Sequence, residues 1–345
     1  MTSSILDRRP LGAPPWATVD PFLFCVHHDD AYPKGNPQLG PAASLAGRRI
    51  GMDFDGKDGW RMYHGDVVPG FPQHPHRGFE TVTIVRRGLI DHSDSLGAAA
   101  RFGSGDVQWM TAGRGIVHSE MFPLLDQSGP NPLELFQIWV NLPKQDKFVE
   151  PHFSMLWNEH IPRVSFGAAG APRAEVTLIA GELAGQRAPA PPPHSWASRA
   201  ESDLAIWTIR MQAGARLELP RARGEDTIRS LYFFEGDTLH VGGEPVKAPS
   251  AVVLASDRPL VLEAQGKDVD ALLLQARPIA EPVAHHGPFV MNTQAEIRDA
   301  INDYQRTQFG GWPWPSDAPV HPRSEGRFAR HADGRIERVE VGGSG

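Results

Sequence analysis

Glycine and proline punctuate this chain so closely that long helices are disfavoured over most of its length. The 345 residues include 35 glycines and 32 prolines. Short apolar runs of strand length, rich in β-branched and aromatic side chains, lie between them. Such runs occupy residues 22–26, 79–85, 106–111 and 135–142. Many short strands joined by glycine-rich turns predict an all-β sandwich or barrel.

A second strand-rich block follows a proline-rich segment. Residues 188–194 read APAPPPH, and such segments extend and stiffen a chain. The two blocks are similar in size and texture, as expected of an internal duplication of one β-barrel. The predicted organisation is an N-terminal arm (1–20), a metal-binding barrel (21–160), a connecting segment (161–200), a second barrel without metal (201–290), and a C-terminal helix and tail (291–345).

One helix is predicted near the C-terminus. Thr293 and Glu296 have the spacing of a capping box, and apolar residues recur at helical spacing from Ile297 to Tyr304. The glycine pair at 310–311 is expected to end the helix. Residues after about 315 are polar and predict a loosely ordered or surface-wrapping tail.

Composition argues against several classes of protein. The net charge of −7 and the pI near 6.1 give no global basic signature for direct nucleic-acid binding. No apolar run reaches the ~18 residues of a membrane span, and the N-terminus lacks a signal-peptide core. The one cysteine, Cys25, lies in an apolar run, which favours a buried strand residue. A cytoplasmic protein is the resulting expectation.

Two short motifs carry candidate metal ligands. They are His74-Pro75-His76 and His118-Ser119-Glu120. Residues two apart on a strand point to the same face, so two such strands in one barrel could bring four ligating groups together. Three imidazoles and one carboxylate suit a divalent transition metal such as iron. The alternative for the first motif is an exposed loop with solvated histidines.

Strand alternation also makes predictions about the residues around these motifs. If pairing continues unbroken from His74, then Glu80 and Val82 share its face. His64 is equally compatible with orienting a ligand and with a surface position, whereas His92 falls in an apparent turn and is expected at the surface. Either Trp109 or Met110 could line the cavity, with core packing as the default for both.

Other charged residues allow two interpretations. Arg77 and Arg114 flank the ligands and could meet an anionic substrate or form structural salt bridges. The run at 27–30, HHDD, is expected to be a solvated strand end, because adjacent strand residues point apart. Residues 220–230 of the second block contain Arg221 and Arg223 but no histidine.

The flanking residues resemble a known family. FPQHPHRGFETVTIV and GDVQWMTAGRGIVHSE resemble the signature of the pirin family within the cupin superfamily, and LFQIWVNLP and HGPFVMNT add to the likeness. The resemblance covers roughly residues 20–310. It implies a bicupin of two antiparallel β-barrels with a metal, usually iron, in the first barrel only. It also implies that His74, His76, His118 and Glu120 bind that metal, with Glu80 nearby.

Two functions follow from this resemblance. Some bacterial pirin-like proteins act as quercetin 2,3-dioxygenases, which implies a small aromatic substrate, dioxygen, Fe(II) and a catalytic Glu120 that accepts the substrate's hydroxyl proton. Animal pirins act as iron-dependent transcriptional co-regulators, so the alternative is a redox-sensing protein that binds transcription factors or metabolic enzymes. The chain departs from the family in its long segment after about 310 and in APAPPPHSWAS.

Overall fold

The computed structural model describes residues 3–339, and strands dominate it. Helices are few: α1 (Gln294–Thr307) and short 3-10 turns at Lys57–Gly59, Lys144–Asp146, Asn158–His160, Trp196–Ser198, Ala200–Ser202 and Gln308–Gly310. The strands are, in chain order, β1 (Ile5–Pro10), β2 (Phe22–Tyr32), β3 (Gly70–His76), β4 (Phe79–Arg87), β5 (Leu89–Asp94), β6 (Ala99–Gly103), β7 (Val107–Thr111), β8 (Ile116–Met121), β9 (Asn131–Asn141), β10 (His152–Leu156), β11 (Arg163–Phe166), β12 (Ala174–Ala180), β13 (Glu182–Leu183), β14 (Gln186–Arg187), β15 (Ala205–Met211), β16 (Arg216–Leu219), β17 (Ile228–Glu235), β18 (Thr238–Val241), β19 (Glu244–Lys247), β20 (Ser250–Leu254), β21 (Leu260–Gln265), β22 (Val269–Ala276), β23 (Ala284–His286), β24 (Phe289–Met291), β25 (Phe328–Arg330) and β26 (Ile336–Arg338).

The strands belong to two compact units. The histidine unit contains Val26–Asn158 and the described residues from Glu281 onward, and it includes both histidine motifs. The second unit contains the described residues up to Cys25 together with Glu159–Ala280. No helix within residues 3–339 has the length and apolar character needed to cross a membrane.

In the histidine unit, two antiparallel sheets enclose one core. A five-stranded sheet has the order β10-β7-β4-β9-β2, and a six-stranded sheet has the order β26-β25-β6-β5-β8-β3. Apolar side chains from both sheets meet in the core, among them Val85, Met110, Ile90 and Phe102. The alternation predicted from the sequence therefore produces a buried interior, where any polar side chain needs a partner.

The second unit repeats this plan without a histidine motif. Its seven-stranded sheet has the order β1-β20-β17-β22-β15-β12-β11, and its four-stranded sheet has the order β16-β21-β18-β19. Leu231 and Trp207 of the larger sheet share a core with Leu217 and Leu262 of the smaller one. The predicted all-β fold of two antiparallel units with a short C-terminal helix is confirmed. In each unit the core strands form two separate large sheets in place of one continuous closed barrel, and β23-β24 and β13-β14 form a further two-stranded sheet in the histidine unit and the second unit, respectively.

The structure adds strands near both ends of the described chain. The predicted N-terminal arm contains β1, which pairs with β20. The described part of the C-terminal segment, up to residue 339, agrees with the surface-wrapping alternative: β25 pairs with β6, and the Nε1 atom of Trp314 donates to the carbonyl of Asp94. The tail therefore extends the six-stranded sheet of the histidine unit. Both segments escaped the sequence argument because strands that add to a sheet edge need little apolar periodicity.

Helix α1 begins where the capping box predicts, and it ends before the glycine pair at 310–311 that was expected to end it. Thr293 and Glu296 form the capping box in both directions. The helix stops at Thr307, where Gln308 adopts a left-handed conformation with φ of 49°. Ile297 and Ala300 pack with Val117 of β8, the residue before His118. The helix thus supports the strand that carries the second histidine motif.

Candidate metal centre

The two histidine motifs meet because their strands are antiparallel neighbours. In the ladder between β3 and β8, His74 lies opposite His118, and His76 lies opposite Ile116. This register places the side chains of His74, His76 and His118 on one side of the six-stranded sheet. The local alternation of each motif and the pairing of the two strands are both required for this arrangement.

The three imidazoles form a tight cluster. One ring nitrogen from each of His74, His76 and His118 lies within 4.8 Å of the others. The ring centroids are 4.4 Å apart for His74 and His118, 4.8 Å for His74 and His76, and 4.9 Å for His76 and His118. Three convergent imidazole nitrogens could hold a divalent transition-metal ion.

The hydrogen bonding of these rings fits a metal. Nδ1 of His74 donates to the carbonyl of Pro72 at 2.8 Å, which leaves Nε2 with a free lone pair. Nδ1 of His76 and both ring nitrogens of His118 are buried and have no hydrogen-bond partner within residues 3–339. Buried polar atoms without partners are costly, and coordination would satisfy them.

Electrostatics keeps the cluster in its metal-binding form. Burial lowers the pKa of His74 to about 4, and it lowers the pKa of His76 and of His118 well below the usual histidine range. The neighbouring imidazoles reinforce this shift because positive rings would repel each other. All three are therefore neutral near pH 7, as metal ligands must be.

Glu120 lies beside the cluster. Its Oε2 atom is 3.9 Å from Nε2 of His118, and the carboxylate is not among the mutually close ligand atoms. Gln137 donates to Oε2 at 2.7 Å and Thr83 donates to Oε1 at 3.2 Å. Burial raises the pKa of Glu120 above its usual value, and these two hydrogen bonds oppose that rise. The carboxylate of Glu120 is thus held by two hydrogen bonds at the edge of the histidine cluster.

The prediction that Glu80 faces the ligands is wrong. Strand β3 ends at His76 and β4 begins at Phe79, and between them Gly78 adopts φ of +85°. A Cβ at Gly78 would lie 2.0 Å from the carbonyl oxygen of Val290, so the turn requires glycine. The turn resets the alternation: Thr83 faces Glu120, whereas Glu80 faces the other way and accepts a 2.6 Å bond from Thr111.

His92, predicted at the surface, is fully buried in β5. It lies opposite Glu120 in the β5–β8 ladder, and its ring is 5.5 Å from that of His118. Its Nε2 atom is 3.2 Å from Oδ2 of Asp94. Ile90 and His92 share one face of β5, but the polar residues next to them in the sequence are typical of a turn.

Gln137 and Trp139 were also missed as site residues. Strand alternation over residues 135–142 places Phe136, Ile138 and Val140 on one face of β9, and all three are buried. The opposite face of the same strand carries the site: Gln137 binds Glu120, and the Trp139 ring lies 5.4 Å from that of His76. Alternation along the sequence separates the two faces of β9. Only the pairing of strands in the structure shows which face lies next to the histidines.

Several remaining candidates have structural roles. His64 is exposed and bonds the carbonyl of Gly51. Arg77 is buried and bonds Asp303 and the carbonyl of Arg114, whereas Arg114 pairs with exposed Glu150. These contacts agree with the salt-bridge interpretation of both arginines.

The run at 27–30 is not a fully solvated strand end. Asp30 is fully buried and accepts bonds from Tyr63 and Arg61. Nδ1 of His28 lies 2.7 Å from the Tyr63 hydroxyl, and burial lowers the pKa of His28 to about 3.

In β7, Met110 belongs to the core between the sheets, and Trp109 points to the opposite face.

Comparison with known proteins identifies the family. A protein of Pseudomonas aeruginosa named "putative quercetin 2,3-dioxygenase" is 41% identical over 241 residues, which cover 70% of this chain and 79% of that protein. The family profile described as Pirin matches residues 7–140, and the profile described as Pirin C-terminal cupin domain matches residues 206–310. The chain belongs to the pirin family.

Further pirin relatives and one solved structure agree. The protein named Pirin of Rattus norvegicus is 33% identical over 254 residues, covering 72% of this chain and 80% of that one. A quercetin 2,3-dioxygenase structure from Acinetobacter baumannii superposes with a TM-score of 0.67 at 28% identity, covering 84% of this chain and 86% of that one. The resemblance predicted from the two motifs is confirmed, and so is the bicupin fold that it implied.

Proposed function

We propose that this pirin-family protein is an iron-dependent dioxygenase that acts on quercetin-like flavonols or on a related aromatic or enolic substrate. The observation that carries the proposal is the cluster of three neutral imidazoles beside an oriented carboxylate, with buried nitrogens on His76 and His118 that have no hydrogen-bond partner among residues 3–339. The names of the Pseudomonas and Acinetobacter proteins point to the same substrate class.

In this proposal, His74, His76, His118 and Glu120 hold the metal. The set of three nitrogens and one oxygen suits iron, and the cluster's remaining side is left for substrate. When bound, Fe(II) would supply the one-electron chemistry that lets dioxygen react with an organic substrate, and its positive charge would favour a phenolate.

Aromatic side chains flank the histidines and could hold a planar substrate. The ring centroid of Phe71 is 6.4 Å from that of His74, and Trp139 stands 5.4 Å from His76 and 4.3 Å from Phe79. Both Phe71 and Trp139 are partly exposed, so their faces are available for contact. Stacking on such rings would orient a flavonol and exclude water from the reacting atoms.

Glu120 would then accept the hydroxyl proton of the substrate. Its Oε1 atom is the better acceptor site, because the bond there from Thr83 is 3.2 Å, longer than the 2.7 Å bond from Gln137 to Oε2. Gln137 would keep the carboxylate in place as the proton arrives. In the balanced reaction, quercetin and one dioxygen give one ring-opened depside and one carbon monoxide. The two ring bonds to the carbon that bears the hydroxyl break, that carbon leaves as carbon monoxide, and both atoms of dioxygen enter the depside. The proton held by Glu120 returns to the carboxylate of this product.

Oxygen uptake by the iron-loaded full-length protein tests this proposal. With quercetin, we expect one dioxygen consumed for each flavonol lost. The His118→Ala variant provides the background rate, since it lacks one of the three clustered imidazoles. If iron and several other divalent metals all give rates equal to that background, the flavonol proposal is rejected, although metal binding can still be assessed separately.

Replacing Gln137 by leucine should lower kcat with quercetin by a larger factor than it lowers the iron content of the purified protein. Without the 2.7 Å bond to Oε2, Glu120 can rotate away from the proton that it accepts. Loss of a group that orients a ligand typically costs about 10–100-fold in activity or metal affinity, and we expect roughly tenfold in kcat. The measurement is kcat with quercetin alongside iron content.

Two further variants sharpen the Gln137 result. Thr83→Val removes the longer bond to Oε1 and should have a smaller effect. Gln186→Leu changes an exposed glutamine of the second unit and should leave kcat unchanged. Equal rates for Gln137→Leu and the wild type would show that Gln137 does not orient the carboxylate.

A further inference from the structure

The second unit contains a buried arginine with spare hydrogen-bonding capacity. Arg229 lies on β17 and is 1% exposed. It has the same parity as Leu231 and Phe233, which belong to the core of this unit, so its side chain faces the interior. Its Nε atom donates to Oε1 of Gln275 at 2.7 Å, but Nη1 has no hydrogen-bond partner among residues 3–339.

A cavity of about 200 Å³ adjoins this side chain. Its lining includes Arg229 and Gln275 on the inner side and Arg221 and Arg223 at the exposed rim. Two carboxylates, those of Asp203 and Glu182, also line it, and Glu182 pairs with Arg223 at 2.9 Å. Leu204 and Trp207 supply apolar wall. The volume is smaller than that of a typical drug-sized site, so only a small molecule fits.

Burial lowers the pKa of Arg229 to about 10, and the carboxylate of Asp203 raises that pKa by its charge but makes no hydrogen bond to Arg229. Asp203 accepts bonds from the backbone N–H groups of Arg223 and Gly224 and from the hydroxyl of Thr227. Asp203 also pairs with the guanidinium of Arg223 at 3.3 Å. A guanidinium that is buried without a bonded anion is costly, and an incoming anion would remove that cost.

We propose that this cavity of the second unit binds a small organic carboxylate through Arg229. The carboxylate would accept from the guanidinium of Arg229, while a short apolar body would lie against Leu204 and Trp207. Two features favour a carboxylate over phosphate: Leu204 and Trp207 offer apolar contact to a hydrocarbon chain, and a phosphate dianion loses more hydration on burial. The exposed Arg221 attracts anions to the mouth in a chain whose net charge is −7, whereas Arg223 is paired with Glu182 and Asp203.

The chemistry of the proposed site differs from that of the histidine cluster. It uses no metal ligand, and its residues belong to Glu159–Ala280. The proposal is therefore independent of the dioxygenase activity. A ligand here could report the level of a small acid or stabilise the second unit.

Calorimetric titration of the full-length protein with butyrate, propionate and inorganic phosphate tests the site. Butyrate and propionate should bind and should raise the melting temperature, with phosphate weaker. Arg229→Met should weaken butyrate binding roughly tenfold or more, because a charge-assisted hydrogen bond is lost. Arg216→Met, which changes an exposed arginine of the same unit, should bind butyrate like the wild type.

A second variant guards against misfolding. Arg229→Lys keeps the charge but loses the planar fork, so it should fold and still bind butyrate more weakly than the wild type. The proposal is overturned if neither acid binds the wild type, if Arg229→Lys and Arg229→Met both bind butyrate unchanged, or if phosphate binds more tightly than both acids.

Discussion

Replacing His118 by alanine is expected to abolish stable metal binding. His118 is one of the three clustered imidazoles: its ring lies 4.4 Å from that of His74 and 4.9 Å from that of His76. Its loss leaves two imidazoles, and metal retained after gel filtration should fall from near one ion per chain to a small fraction. Metal analysis by mass spectrometry provides the measurement.

Stability measurements add a second readout for His118→Ala. Saturating metal should stabilise the wild type by about 2.7 kcal/mol at a hundredfold excess over its Kd, and the variant by almost nothing. Without metal, the two proteins should have similar stability. The cavity left by the imidazole is destabilising, but two buried nitrogens without partners are removed.

An exposed histidine provides the matched control for this experiment. His160→Ala lies in a surface turn and should keep the wild-type metal content and the wild-type stabilisation by metal. If His118→Ala retains a full equivalent of metal, the histidine cluster is not the metal site. A wild type that shows no metal-dependent stabilisation would contradict the same assignment.

Replacing Arg101 by methionine is expected to destabilise the histidine unit strongly. The fully buried guanidinium makes a bidentate pair with Asp91, both distances being 2.7 Å. It also donates to the carbonyls of His321, Pro322 and Glu325, each at 2.8 Å. Removing it leaves Asp91 charged and buried, which typically costs about 3–5 kcal/mol. Urea titration measures the loss.

Two comparisons identify the cause of that loss. Arg49→Met removes an exposed pair with Asp55 and should cost at most about 1 kcal/mol. Adding Asp91→Asn to Arg101→Met should recover part of the stability, because the uncompensated charge is gone. If Arg101→Met costs no more than Arg49→Met, the tail is not held to the sheet by this arginine.

Local patterns in the sequence predicted much of the fold. The strand at 79–85, the capping box of Thr293 and Glu296, and the shared face of His74 and His76 all depend on residues close together in the chain. Backbone preferences and side-chain periodicity act over this range, so they can be assessed without knowing the fold. The motif residues also sufficed to indicate the family.

Long-range pairing decided what those patterns could not. Gly78 resets the alternation through its left-handed backbone, and this turned Glu80 away from the histidines and Thr83 toward Glu120. A strand pattern continued across such a turn assigns every later side chain to the wrong face. His92 lies at the site because β5 pairs with β8, and Gln137 lies there because its strand, β9, brings it within hydrogen-bond distance of Glu120.

The sequence by itself therefore determined the all-β fold class, the C-terminal helix and the histidine and glutamate side chains that could bind a metal. Tertiary structure decided which of them meet: the register of His74 against His118, the carboxylate beside them, and the buried positions of Arg101 and Arg229. The physical reason is that short-range preferences set the conformation of each segment, whereas burial and hydrogen-bond partners depend on contacts between segments distant in the chain.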